Sequence, residues 1–173
     1  MPSNTFHWKD IAELIGISAI VASLIFVGLQ MRQAQDIAIS DGNLANAANK
    51  IEANNLLAAN PGIWAKGAAG EGLDESEAVV FRSMVKNVYE VAFFEFLRTR
   101  RLGQENIAAY VVADFSAFLF ENPGARANWT EEMRTDTGWR NLLLPDQSSF
   151  SDFDDEVRAD LVVLDQHAGQ STD

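Results

Sequence analysis

The residues that could carry chemistry in this chain are few. Its two histidines, His7 and His167, stand near opposite ends, and neither has a Glu three positions before it. The Glu-x-x-His pairs that a di-iron or di-manganese helical bundle draws from two of its helices are therefore missing. No Gly-x-Ser-x-Gly elbow is present to raise a serine nucleophile, and neither a P-loop nor a dinucleotide fingerprint occurs. The stretch Gly67-Ala68-Ala69-Gly70-Glu71-Gly72 lacks the strand before it and the Lys-Ser/Thr after it that phosphate binding uses, and reads as a loop. Cysteine is absent, which excludes disulfides, thiolate zinc sites, iron–sulfur clusters and cysteine nucleophiles. No cofactor and no metal is expected. What remains is three carboxylates in apolar settings: Glu90 and Glu95 among aromatic residues, and Asp114 four before Phe118. Converging in a cleft, they could act as acid and base. The simpler reading is structural, with Asp114 buried and neutralised by Arg98 or Arg101 across a helical hairpin.

Those residues must be positioned by a chain of uneven composition. Its 173 residues carry 25 acidic against 13 basic side chains, a formal charge of -12, with 47% hydrophobic residues, eleven Phe and four Trp. That is too apolar for a disordered chain, and too acidic, with scattered Lys and Arg, for nucleic acid to be a partner. The apolar residues concentrate early. Leu14 to Met31 contains 18 residues without a charge, and extension back to Ile11 gives 21. As a helix this is about 31 Å, matching a hydrocarbon core of roughly 30 Å. Phe6 and Trp8 before the run, and Arg32 after it, are interfacial types, and Glu13 lies close enough to the end to reach headgroups. A cleaved signal peptide fits poorly, because Met1 to Asp10 has one Lys and no convincing cleavage site follows Gly28. A buried core helix is the other rival, and 18 uncharged residues in a row are long for it. Within the span, Ser18 with Ala22 and Ala19 with Ser23 have the small-xxx-small spacing that admits a second helix closely. Positive charge is nearly balanced across the span, so the side of the membrane on which the rest lies is not encoded. Met1 to Met31 contributes -1, from Lys9 against Asp10 and Glu13, leaving -11 for residues 32–173.

Beyond the span the spacing is helical, and the fold class is all-α: a single transmembrane helix, then a small helical bundle. The expected order is a tail over 1–10, the span over 11–31, a stalk or first bundle helix over 32–60, the bundle over 61–168 and a tail over 169–173. Ile37, Leu44 and Ile51 recur at seven and give the 32–60 helix one apolar stripe, with Gly42 as a place to bend. Asn60-Pro61-Gly62 ends it, and the same Asn-Pro-Gly punctuation returns at Asn122-Pro123-Gly124, each time with a Trp close behind. Asp74 and Glu77 predict a capping box opening a helix to Leu102, with Val80, Met84, Val88, Val91 and Phe94 along it and Tyr89, Phe93, Phe94 and Phe96 at the heart of the core. Gln104 to Phe120 is the next helix, Ile107, Val111, Phe115 and Phe118 sharing a face, and Ala125 to Thr135 another. The last opens at Ser151 with Asp152, Asp154, Asp155 and Glu156 in its first turn, and Phe153, Val157, Leu161 and Leu164 as its stripe.

Trp8, Trp64, Trp129 and Trp139 are candidate partner contacts, since aromatic anchors dominate interface hot spots, although core burial is the commoner fate of Trp in a small bundle. Trp8 with Ile11-Ala12-Glu13-Leu14-Ile15-Gly16, Ala22-Ser23-Leu24-Ile25 and Gln30-Met31-Arg32-Gln33 resembles the N-terminal signature of a family of uncharacterised single-span bacterial proteins. The later pattern, Asn-Pro with a following Trp, Glu90 to Phe96, Leu102-Gly103 and the second Asn-Pro-Gly, is similar too, so the resemblance runs over Trp8 to Trp129. It implies an address in the bacterial cytoplasmic membrane and an all-α domain, and brings no activity, cofactor or site residue. The expected function is non-enzymatic: an accessory, structural or assembly subunit of a larger membrane complex, photosynthetic or respiratory complexes being candidate hosts. Its partners would be the lipid bilayer and other membrane subunits, or a second copy through the span. The alternatives are a sensor or signalling module dimerising through Ile37, Leu44 and Ile51, and an enzyme using Glu90, Glu95 or Asp114.

Overall fold

A computed structural model describes residues 8–130 and 148–170, and every described element is helical. In chain order these are α1 (Trp8–Ala59), α2 (Pro61–Ala68), α3 (Glu75–Arg101), α4 (Glu105–Glu121), α5 (Pro123–Asn128) and α6 (Ser148–Gln170). The chain divides into two compact units, residues 1–45 and 46–173.

The first unit is the greater part of α1. Its apolar side chains point in every direction, and the large ones from Leu14 to Met31 are all exposed. The helix is long and apolar enough to cross a membrane. Ser18, Ala19, Ala22 and Ser23 are exposed with the rest, and the Ser18 hydroxyl donates to the Leu14 carbonyl at 2.8 Å, so it is satisfied within its own helix. The backbone stays helical through Gly42, where a glycine cost of about 1 kcal/mol is too small to end so long a helix. Ile37, Leu44 and Ile51 are exposed.

The second unit is a bundle built on α3, α4 and α6. The Asp74 side chain accepts from the Glu77 backbone N–H at 2.8 Å, and the Glu77 carboxylate accepts in turn from the Asp74 N–H, so the expected capping box opens α3. The buried face of α3 is Phe81, Met84, Val85, Tyr89, Phe93, Phe96 and Leu97. Phe94, expected at the centre, is instead 45% exposed, because Phe93 and Leu97, four apart, and Phe96 set the face one position around. The same rotation applies to α4, where Ala108, Val111, Val112, Phe115, Ser116 and Leu119 are buried and Ile107 is exposed. Helix α6 begins three residues before Ser151, so the acidic run lies past its first turn. Phe153 and Val157 are wholly buried as expected, and Asp154 is buried with them, accepting from the Tyr89 hydroxyl at 3.2 Å. Arg100 closes the end of the bundle, bridging Glu105 on α4 and Glu156 on α6 while its guanidinium lies 5.1 Å from the centre of the Phe96 ring. Arg126 grips Asp165 with two bonds of 2.8 and 2.9 Å, tying α5 to α6, and these bonds hold the Asp165 carboxyl below its ordinary pKa.

The two short helices that follow the Asn-Pro-Gly stops meet. Each has Pro at its first position, and α5 crosses α2 so closely that a methyl group on Gly124 would stand 1.7 Å from the Gly67 carbonyl oxygen. One on Gly67 would lie 2.2 Å from the Phe81 ring. The expected loop over Gly67 to Gly72 is thus partly the end of α2, with Gly67 and Ala68 buried. Gly124→Ala should cost roughly 1–3 kcal/mol, since rigid backbone cannot yield as a side chain can. Gly62→Ala, on α2 with open space around it, should gain up to about 1 kcal/mol from helix propensity. Chemical unfolding followed by tryptophan fluorescence measures both, and equal midpoints for the two variants would refute the close crossing.

Candidate functional site

A groove of about 410 Å³ opens in the second unit. The end of α1 supplies Lys50, Ala53, Asn54 and Leu57 to it, and α2 supplies Trp64. Val88, Val91, Ala92 and Glu95 come from α3, and Val111, Asp114, Phe115 and Phe118 from α4, with Asn122 at the α4–α5 junction. The placing of Trp64 stems from the first Asn-Pro-Gly stop, which turns the chain so that the indole stacks on Phe118 at 5.7 Å and tilts against Phe81 at 5.6 Å. Asn122 donates its side-chain amide to the Phe118 carbonyl at 2.8 Å, finishing α4 beside the groove.

Electrostatically the groove is organised around Glu95. Lys50 Nζ lies 2.8 Å from Glu95 Oε2, and the Arg98 guanidinium is 4.0 Å from Oε1. Burial alone would push the Glu95 carboxyl up, but hydrogen bonds from Lys50 and Asn46, with the charges of Lys50 and Arg98, outweigh it and hold the pKa below the ordinary range. An ionised, doubly held carboxylate is the opposite of a general acid poised near neutral pH.

The fold separates most of the candidates that the sequence suggests. Asp114 is exposed, and Arg98 turns to Glu95 on its own helix while Arg101 is exposed, so the expected buried pair of Asp114 with Arg98 or Arg101 does not form. The reason is the buried face of α4, which is shifted toward Ala108, Val112, Ser116 and Leu119 and leaves Asp114 exposed beside it. Glu95 and Asp114 share the groove, whereas Glu90 lines a smaller one of about 250 Å³ with Asn46, Asn49, Glu52, Asn87 and Phe94. Trp129 is 2% exposed and meets Phe115 edge-on at 6.2 Å, so it is core and offers no surface to a partner. Trp8 is 80% exposed, Trp64 forms a wall of the groove, and Trp139 lies outside the described residues. Among the described residues no group of three His, Asp or Glu is placed to hold a metal. Lys50 is the residue that sequence reasoning missed, although it is the one basic residue between Arg32 and Lys66, on an Asn- and Ala-rich helix.

Comparison with protein-family models, with curated proteins and with solved structures gives no match for this chain. Its function must be read from its own residues.

Glu95 makes stability dependent on acid in a definite direction. Because its folded pKa is depressed, its contribution is present above the unfolded value of about 4.3 and is lost as pH falls through the folded one. Lys50→Met removes the leading cause of the depression and leaves burial pushing upward, so acid unfolding should begin at a higher pH. Near-ultraviolet circular dichroism against pH reads this, and an unchanged midpoint would show that Lys50 does not hold the carboxylate.

Proposed function

We propose that this chain is a non-enzymatic, membrane-anchored helical protein, an accessory or assembly subunit of a larger complex in the bacterial cytoplasmic membrane. The carrying observation is the apolar run of α1, whose large side chains from Leu14 to Met31 are exposed. Large exposed apolar surfaces on a monomer mark a contact with lipid or protein. At about 25 cal/mol per Å² of apolar area, about a dozen large side chains left in water would cost tens of kcal/mol, far beyond the stability of a domain of this size. The bacterial address rests on the resemblance of Trp8 to Arg32 and the later Asn-Pro-Gly pattern to single-span bacterial proteins.

Two observations favour binding over catalysis. Glu95 is committed to its ion pair, and Asp114 and Glu90 open into different grooves. A docking helix finds its small-residue ridge in Ser18, Ala19, Ala22 and Ser23. A sensor that pairs with its own copy is the second reading, favoured by the exposure of Ile37, Leu44 and Ile51 at heptad spacing.

Native membranes solubilised in a mild detergent should release the chain in a particle well above its own 19.0 kDa plus micelle. Ala19→Leu with Ala22→Leu should shrink that particle without moving the protein from the membrane fraction. A lone monomer before mutation would end the accessory-subunit reading, and a homodimer crosslinked through cysteines at Leu44 would favour the sensor.

A further inference from the structure

The 410 Å³ groove has the volume of a small-ligand site and a divided chemistry. Val111 and Phe115 are buried at its floor, and Trp64 and Phe118 stand half-buried as a stacked pair on its wall. Three charged residues line it. Lys50 and Glu95 neutralise each other at 2.8 Å. Asp114 is exposed, and among the described residues no cation pairs with it. Among the described residues the groove therefore carries one uncompensated carboxylate, with the neutral amides of Asn54 and Asn122 elsewhere in its lining.

We propose that this groove binds a small amphipathic cation, an arylalkyl- or alkylammonium whose apolar body lies on Trp64, Phe115 and Phe118 and whose ammonium is held by Asp114. The sign of the ligand is set by charge. Residues 46–173 hold 11 Lys and Arg against 21 Asp and Glu, a formal -10, so the surrounding field repels carboxylates and phosphates. Lys50, the one cation that lines the groove among the described residues, is already engaged by Glu95. Aromatic faces on the wall add cation–π attraction for an ammonium and nothing comparable for an anion. A neutral apolar molecule could fill the cavity but would leave Asp114 unused, while an ammonium uses both halves. The groove belongs to the bundle alone, so this site does not depend on the reading of α1 as a membrane anchor or of the chain as a subunit.

Titration calorimetry on the full chain in maltoside detergent tests the site, with phenethylamine and its anionic near-isostere hydrocinnamate as probes and empty micelles as the blank. Saturable binding of phenethylamine is expected, with hydrocinnamate about tenfold weaker or worse. Asp114→Asn should weaken phenethylamine about fivefold and leave hydrocinnamate and the unfolding midpoint unchanged, since the side chain is exposed. Ala92→Phe, which fills the groove, should abolish amine binding, and if that variant does not fold the Asp114→Asn result decides alone. Equal affinity for the two probes, an Asp114→Asn variant that binds the amine unchanged, amine binding that survives Ala92→Phe in a folded protein, or no saturable binding at all would each overturn the proposal.

Discussion

The bundle depends on a contact that involves no side chain. Gly124 at the start of α5 rests against the backbone at the end of α2, where the only group small enough to be placed is a hydrogen atom. That crossing sets several other positions. Trp129, one turn further along, is delivered into the core against Phe115, and Trp64, one turn earlier on α2, is held over Phe118. Asn122 is fixed at the mouth of the groove, and Arg126 is aimed at Asp165 on α6. Proline at the first position of each short helix fixes the entry angle, because its ring sets φ before any packing occurs. Two Asn-Pro-Gly segments 62 residues apart thus open the two short helices whose crossing, Gly124 against Gly67, forms one joint.

Much of this architecture was legible from local chemistry. The capping box at Asp74 and Glu77, the glycine at 103 with φ of +68° beyond the end of α3, and the Asn-Pro stops all act within a few residues, where sequence and geometry are tightly linked. The all-α class and the apolar stretch of α1 needed only periodicity and length. The helix faces were less legible. On α3 aromatic and aliphatic residues occupy so much of the circumference that Phe93 and Phe94 are equally apolar on paper, and only the neighbouring helices decide that Phe93 is buried. The same ambiguity moved Asp114 from an expected buried pair to the rim of a groove. The Lys50–Glu95 pair was invisible for a different reason: its partners are 45 residues apart and meet only because the end of α1 lies along α3.

Charge and aromatic content divide the labour in the second unit. Its interior is held by Tyr89, Phe93, Phe96, Phe115, Trp129 and Phe153, whose rings meet in tilted and edge-on pairs at 5.1 to 6.2 Å. Each such ring removes a large apolar area from water, which is why a short chain can form a stable core. Most of its cations, among the described residues, are spent within the fold. Lys50, Lys66, Arg100, Arg126 and Arg158 each face a carboxylate, so the excess acidity is left on the surface. Exposed pairs of this kind contribute little to stability individually. Their larger effect is on company: a strongly negative surface keeps copies apart and selects for positively charged visitors.

Helix α6 supplies Phe153 to the middle of the aromatic core, yet its contacts reach back 65 residues to Tyr89 and 56 to Arg100. For a ribosome making this chain, that order matters. The apolar segment of α1 emerges first, and the aromatic faces of α3 and α4 come next with nothing to cover them. The core closes only when α6 has left the exit tunnel, and closing so long a segment is entropically slow. For that interval the nascent chain presents Phe93, Phe96 and Phe115 to whatever is near, the situation in which unfinished proteins stick to one another or to chaperones. The place of one phenylalanine near the end of the chain thus sets a window of vulnerability during synthesis that the finished protein no longer displays.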